Sequence, residues 1–93
     1  MNSTPTAHFI KALGDELRTR RQTKKLTQVG LATRANVHPN TISLVERAQI
    51  VPKIDALLAL AAALDTSLSQ LVKAAEARAD LRQIPSASLI QQP

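Results

Sequence analysis

An all-α domain is what this chain predicts, and three observations predict it. The 93 residues are 44% hydrophobic but include one Phe, no Tyr and no Trp, so the core must come from Leu, Ile, Val and Ala. Leu and Ala are strong helix formers. Apolar residues also recur at spacings of three and four in successive segments, which is the repeat of a buried helix face. Finally, a chain this short makes one domain at most. With 20% charged residues it suits a folded globule better than a disordered chain. The lack of Cys excludes disulfides and thiolate metal sites, and is compatible with a reducing compartment. No apolar run approaches the ~20 residues of a membrane span, and "MNSTPTAHF" has no charged stretch leading into an apolar one. A cytoplasmic protein is therefore expected.

The elements follow in order. Thr6 can cap a first helix that buries Phe9 or Ile10, Leu13 and Leu17, and that runs through "RTRRQTKK" to a break before Leu26. Arg20 and Arg21 can lay their stems on the domain and keep their heads in water. Thr27 caps a short second helix with Leu31 and Ala35 on one face. Gly30 inside it costs up to ~1 kcal/mol relative to Ala, for no reason visible in the sequence. Asn36, well suited to the left-handed conformation, ends that helix. If His38 is the next cap, Pro39 falls at the first helical position, where its missing N–H is no loss and its fixed φ fits. A helix over 39–47 follows. "QIVPK" connects to a fourth helix opened by Pro52, with Ile54, Leu57, Leu58, Ala61 and Leu64 as its apolar stripe and Leu60 off it. A Ser67…Gln70 capping box starts the fifth, which buries Leu68, Leu71, Val72 and Ala75. The boundaries are an N-terminal arm over 1–8, a domain over 9–82, and a tail over 83–93. The tail, with Pro85 and the pair Leu89–Ile90, reads as extended or disordered unless a partner orders it.

Charge divides the chain. Residues 1–53 hold nine Lys/Arg against three acids, a balance of +6, and residues 54–93 hold three against four, a balance of −1. A basic half suits a polyanion and a neutral apolar half suits a protein contact; a merely solvated basic face is the plain alternative.

Two short helices around Asn36 have the geometry of a helix-turn-helix. Leu31, Ala35, Val37, Ile42 and Val45 would pin the second helix across the first, with Ala32 at the close approach. His38, Pro39, Asn40, Ser43, Leu44 and Arg47 are left on the opposite side. The words "LGDELRTRRQTKKLTQ", "LATRANVHPNTISLVER" and "VPKIDALLALAAALDTSLSQLV" resemble, in order and spacing, the lambdoid-repressor-like helix-turn-helix family of the XRE/Cro/C1 type, over residues 13–72. The resemblance implies a compact five-helix domain, with its helix-turn-helix at 27–47, that binds palindromic operator DNA as a dimer without a cofactor. It also implies roles. Gln28 would touch a phosphate from a helix start. Pro39, Asn40 and Leu44 align with base-reading positions; Asn40 suits adenine, and Leu44 or the Thr41 methyl suits a thymine methyl. His38 and Ser43 could donate to a phosphate or a base edge. Arg47, Lys53, Arg21 and Lys25 would track the backbone. Three departures stand out: Asn36 and Ala48 replace the usual glycines, and Lys53 a frequent Ser. Pro39 reads no base by hydrogen bonding, so part of the specificity is expected from DNA shape.

The dimer contact is expected in the neutral half, from Leu60, Leu68, Leu71, Val72, Leu89 and Ile90, although Leu60 and the fifth-helix residues serve equally as core. The alternative function is an antitoxin-like or restriction-controller-like protein whose tail docks on a second protein. His8 and His38 lack further ligands at metal spacing, and nothing places a nucleophile beside a base, so neither a metal site nor an enzyme is expected.

Overall fold

Five helices occupy the residues that the computed structural model describes, 4–83 with side chains through Asp80: α1 (Pro5–Thr23), α2 (Gln28–Ala35), α3 (Pro39–Glu46), α4 (Ile54–Ala63) and α5 (Leu68–Gln83). No strand occurs among them. Helix α5 packs along α1, α2 and α3 cross each other, and α4 closes the base against α2 and α5.

Thr27 and His38 cap α2 and α3 as expected. The first helix begins earlier than Thr6. Thr4 is its cap, accepting the Ala7 N–H at 3.0 Å, and Pro5 takes the first helical position, so residues 5–8 are helix and not an arm. Pro52 does not open α4 either. It is buried ahead of Lys53, which precedes the helix with no side-chain cap. Ser67 caps α5 through the Gln70 N–H at 3.1 Å, but the Gln70 side chain accepts from the Thr66 hydroxyl at 2.7 Å, so only half of the capping box forms.

Four helices end alike. Lys25, Asn36, Ala48 and Asp65 each take a positive φ of 56–59°. Around each, two backbone N–H groups fold back on the last turn, as in Gln49 N–H to Leu44 O at 2.8 Å and Ala48 N–H to Val45 O at 3.0 Å. These are Schellman closures made without glycine. The two glycines serve elsewhere. A Cβ on Gly14 would lie 2.5 Å from the Val45 carbonyl oxygen, so Gly14 is where the α1 backbone meets the end of α3. A Cβ on Gly30 would crowd the Thr27 cap hydroxyl at 3.2 Å.

The core comprises Leu13 and Leu17 of α1, Leu31 and Ala35 of α2, Ile42 and Val45 of α3, Leu57, Leu60, Ala61 and Leu64, and Leu71, Ala75 and Ala79 of α5. In α4 the buried face is thus 57, 60, 61 and 64. Ile54 and Leu58, expected inside, stand 62% and 51% exposed. The segment "IDALLALAAA" is apolar at every position but Asp55, so its periodicity admits two rotations, and packing selects the one that buries Leu60. No single described helix is long and apolar enough to cross a membrane. Residues 84–93, with the expected contacts Leu89 and Ile90, lie outside the described part.

Candidate nucleic-acid interface

Helix α3 is eight residues long, and its buried stripe is Ile42, Val45 and Glu46. What remains outside is its start. His38, Pro39 and Asn40 are exposed, and Thr41, Ser43 and Leu44 are half-buried. The first turn is fixed before any ligand arrives. Pro39 sets φ, and the His38 Nδ1 accepts the Asn40 N–H at 3.0 Å. The Asn40 amide carries no hydrogen bond among the described residues and is free to pair outward. Ser43 is less free: its Oγ accepts from Arg47 Nε at 3.2 Å, which steers the guanidinium at the far end of the helix.

The other end of α3 is held from inside. Glu46 is 3% exposed and lies on the apolar stripe, where a lone carboxylate would be costly. Arg21 grips it through two bonds, Nε to Oε2 at 2.6 Å and Nη2 to Oε1 at 3.0 Å, and spends its Nη1 on the Leu26 carbonyl at 2.8 Å. Gln28 donates to Oε1 at 3.0 Å. Arg18 lies 3.6 Å from the same oxygen and donates to the Glu46 carbonyl at 3.3 Å. One carboxylate therefore ties α1 and the first residue of α2 to the last residue of α3. Breaking such a buried pair from one side costs about 3–5 kcal/mol.

This corrects the expectation that the Arg21 head lies in water and reaches DNA. Its side chain is 11% exposed and its donors are committed inward. Gln28 is also engaged, with one N–H left to give. Glu46 and Gly14 were not singled out from the sequence. The available signal for Glu46 was its position four after Ile42 and one after Val45, on the face that a carboxylate avoids unless a cation meets it. Lys25 and Lys53 are exposed with no ion-pair partner among the described residues.

Three further ion pairs brace the scaffold. Arg20 and Arg78 both bind Glu16, at 2.7 and 2.8 Å, joining α1 to α5. Burial pushes the Glu16 carboxyl up, but the hydrogen bonds from Arg78 and Arg20, with their charges, outweigh it and hold the group below its ordinary value. Lys24 meets Asp65 at 2.6 Å across two loops, and its hydrogen bond and charge lower the Asp65 carboxyl.

Of the expected dimer residues, Leu60 and Leu71 are core, at 1% and 0% exposure, and offer nothing to a partner without opening the domain. Leu68 is half-buried against that core and Val72 is half-buried. The apolar surface lies elsewhere: Ile50, Val51, Ile54 and Leu58 are all exposed. Among the described residues no group of three or more His, Cys, Asp or Glu could hold a metal.

A family described as "helix-turn-helix domain" matches residues 12–75. The fold is similar to the clp gene regulator ClgR of Corynebacterium glutamicum, with 28% identity, a TM-score of 0.75, and coverage of 80% of this chain and 79% of that one. It is also similar to the restriction-modification controller protein C.AhdI of Aeromonas hydrophila, with 32% identity, a TM-score of 0.65, and coverage of 67% and 94%. No curated protein matches by sequence. With an exposed recognition-helix start on a five-helix scaffold, a family match over most of its length and regulators as its structural neighbours, the chain belongs to the helix-turn-helix domain family, among the XRE-like DNA-binding transcription regulators.

Proposed function

We propose that this regulator is a sequence-specific repressor, not an enzyme, that works in the cytoplasm as a homodimer on a palindromic duplex operator. The observation that carries this reading is α3 itself, free and pre-set at its start and clamped through Glu46 at its end. That turn enters the major groove, where the Asn40 amide pairs with adenine N6/N7 and Leu44 and the Thr41 methyl pack on thymine. Gln28, Lys25 and Arg47 position the backbone. Asn40→Ala should weaken binding to the selected operator by about 1–3 kcal/mol and leave random duplex nearly unchanged. Equal losses on both would remove Asn40 from base reading.

A second copy of this chain is the occupant assigned to the Val51–Ile54–Leu58 surface. Ile54 and Leu58 share one helix face, four residues apart, and the exposed Lys53 and Asp55 flank Ile54. A two-fold axis through Ile54 sets Lys53 against Asp55 of the partner subunit, a self-complementary pattern. It directs Lys53 to that contact in preference to a phosphate. Half-sites then lie about one helical turn, ~34–36 Å, apart. Ile54→Glu, at an exposed site, should leave the fold intact, abolish dimers in sedimentation and weaken operator binding at least about 100-fold. Unchanged sedimentation and affinity would exclude this surface. The 32% identity to a restriction-modification controller protein favours, as a second reading, a restriction-controller-type regulator.

A further inference from the structure

Most helix caps end at the bond they make. Ser, Thr, Asn and Asp turn a short side chain onto the backbone and have little left to offer beyond the helix start. His38 differs. Its Nδ1 accepts the Asn40 N–H at 3.0 Å, so that nitrogen carries no proton. A neutral imidazole has one N–H, and the cap places it on Nε2. The ring is exposed, and Nδ1, the nitrogen nearer the backbone, is the one turned to the helix. The cap bond therefore does two things at once. It closes the first turn of α3, and it fixes both the tautomer and the ring orientation of an outward donor.

We propose that His38 is a specificity-determining residue that reads guanine through this fixed Nε2–H. The inference rests on α3 entering the major groove. There cytosine offers only a donor, the acceptor of adenine (N7) is flanked by its N6 amino group and that of thymine (O4) by its methyl, and guanine alone offers two neighbouring acceptors, N7 and O6. Pro39, next in the chain, has no polar side-chain atom to compete for that position. The recognition turn then carries two polar readers with different chemistry: a single donor at His38 and a donor–acceptor pair at Asn40. Ring and helix start are ordered before binding, so little side-chain freedom is lost in the complex.

His38→Ser tests this, because Ser ranks with the best caps but has no donor at the Nε2 position. Preferred sites would be selected from random duplexes by the full chain and by the variant, with thermal unfolding recorded for both. The expected result is one guanine per half-site at which the parent discriminates about tenfold or more and the variant less than about threefold. The remaining positions and the unfolding temperature should stay as in the parent. Three outcomes would overturn the proposal: the same profile in both proteins, a uniform loss on every sequence (a phosphate contact), or a parent preference at that position for a base other than guanine. If the parent selects no site, the reading of α3 fails, and that result is visible before any variant is made.

Discussion

Gly14 joins the scaffold to the recognition helix, and replacing it with alanine should show how tightly. A Cβ there would sit 2.5 Å from the Val45 carbonyl oxygen and 2.9 Å from that of Glu46, where ordinary contact begins at 3.4 Å. Both neighbours are backbone, so no rotamer change relieves the clash. The end of α3 must withdraw by about 0.9 Å, the difference between 3.4 and 2.5 Å. The Arg21–Glu46 bonds at 2.6 and 3.0 Å would then stretch to the edge of hydrogen-bonding distance or beyond it. Overpacking alone costs roughly 1–3 kcal/mol, and loosening the buried ion pair brings the total to about 2–4 kcal/mol. A domain of this size has only about 4–12 kcal/mol in all, and each kcal/mol lowers its melting temperature by about 4–8 °C. Gly14→Ala should therefore melt at least about 8 °C below the parent when followed by helical circular dichroism. Gly30→Ala is the internal comparison. Its Cβ meets only a side-chain hydroxyl at 3.2 Å and a leucine methyl at 3.6 Å. The helix propensity gained there, up to ~1 kcal/mol, offsets most of the crowding. If Gly14→Ala melted within about 3 °C of the parent, the close approach of α1 to α3 would be wrong.

Two more predictions concern stability. Ala48 closes α3 at φ 59°, where a Cβ is strained, so Ala48→Gly should stabilise the domain by about 1 kcal/mol in urea unfolding; a loss of stability would place that residue in another conformation. The Glu16 carboxyl is held below its ordinary value of about 4.5 only in the folded state. Above that pH both states are ionised and its contribution is complete. As pH falls the unfolded chain binds the proton first, so the contribution is lost as pH passes down through the lowered folded value. Glu16→Gln should lower stability at pH 7 and flatten its fall below pH 4.5; an unchanged acid slope would mean that another carboxylate governs it.

What could be read from sequence here depended on whether a residue acted locally. Pro39, His38 and Asn36 act within a few residues of themselves through backbone geometry, and each lies where the chain predicts. Thr4 and Thr6 offer the same capping chemistry, and Pro5, suited to a first helical position, decides for Thr4. Helix α4 defeats periodicity for a different reason. Nearly every position in it is apolar, so no contrast fixes its rotation, and the exposed face at Ile54 and Leu58 becomes visible only when α2 and α5 cover the other. Arg21 and Glu46 are 25 residues apart. A basic run upstream and one acid on an apolar stripe hint at a pairing, but nothing local says which of Arg18, Arg20 and Arg21 turns inward. The site followed the same division: the exposed turn at 38–40 was legible, and what holds it in place was not.

The arrangement has a mechanical consequence for reading DNA. An isolated helix of eight residues has too few internal bonds to persist in water, so the direction of α3 is set by what grips it. The grip is at Glu46, and the groups proposed to read bases, His38 and Asn40, are at the opposite end. A small change of angle at the clamp is therefore carried along the helix to the first turn, where bidentate pairing with a base tolerates little misplacement. Phosphate contacts from flexible cations adapt to such a tilt more readily than base pairing does. Loosening Glu46, Arg21 or Gly14 without unfolding the domain should then erode discrimination between sequences before it erodes attraction to duplex DNA. On the proposed reading, specificity in this fold is stored in buried residues that never meet the operator.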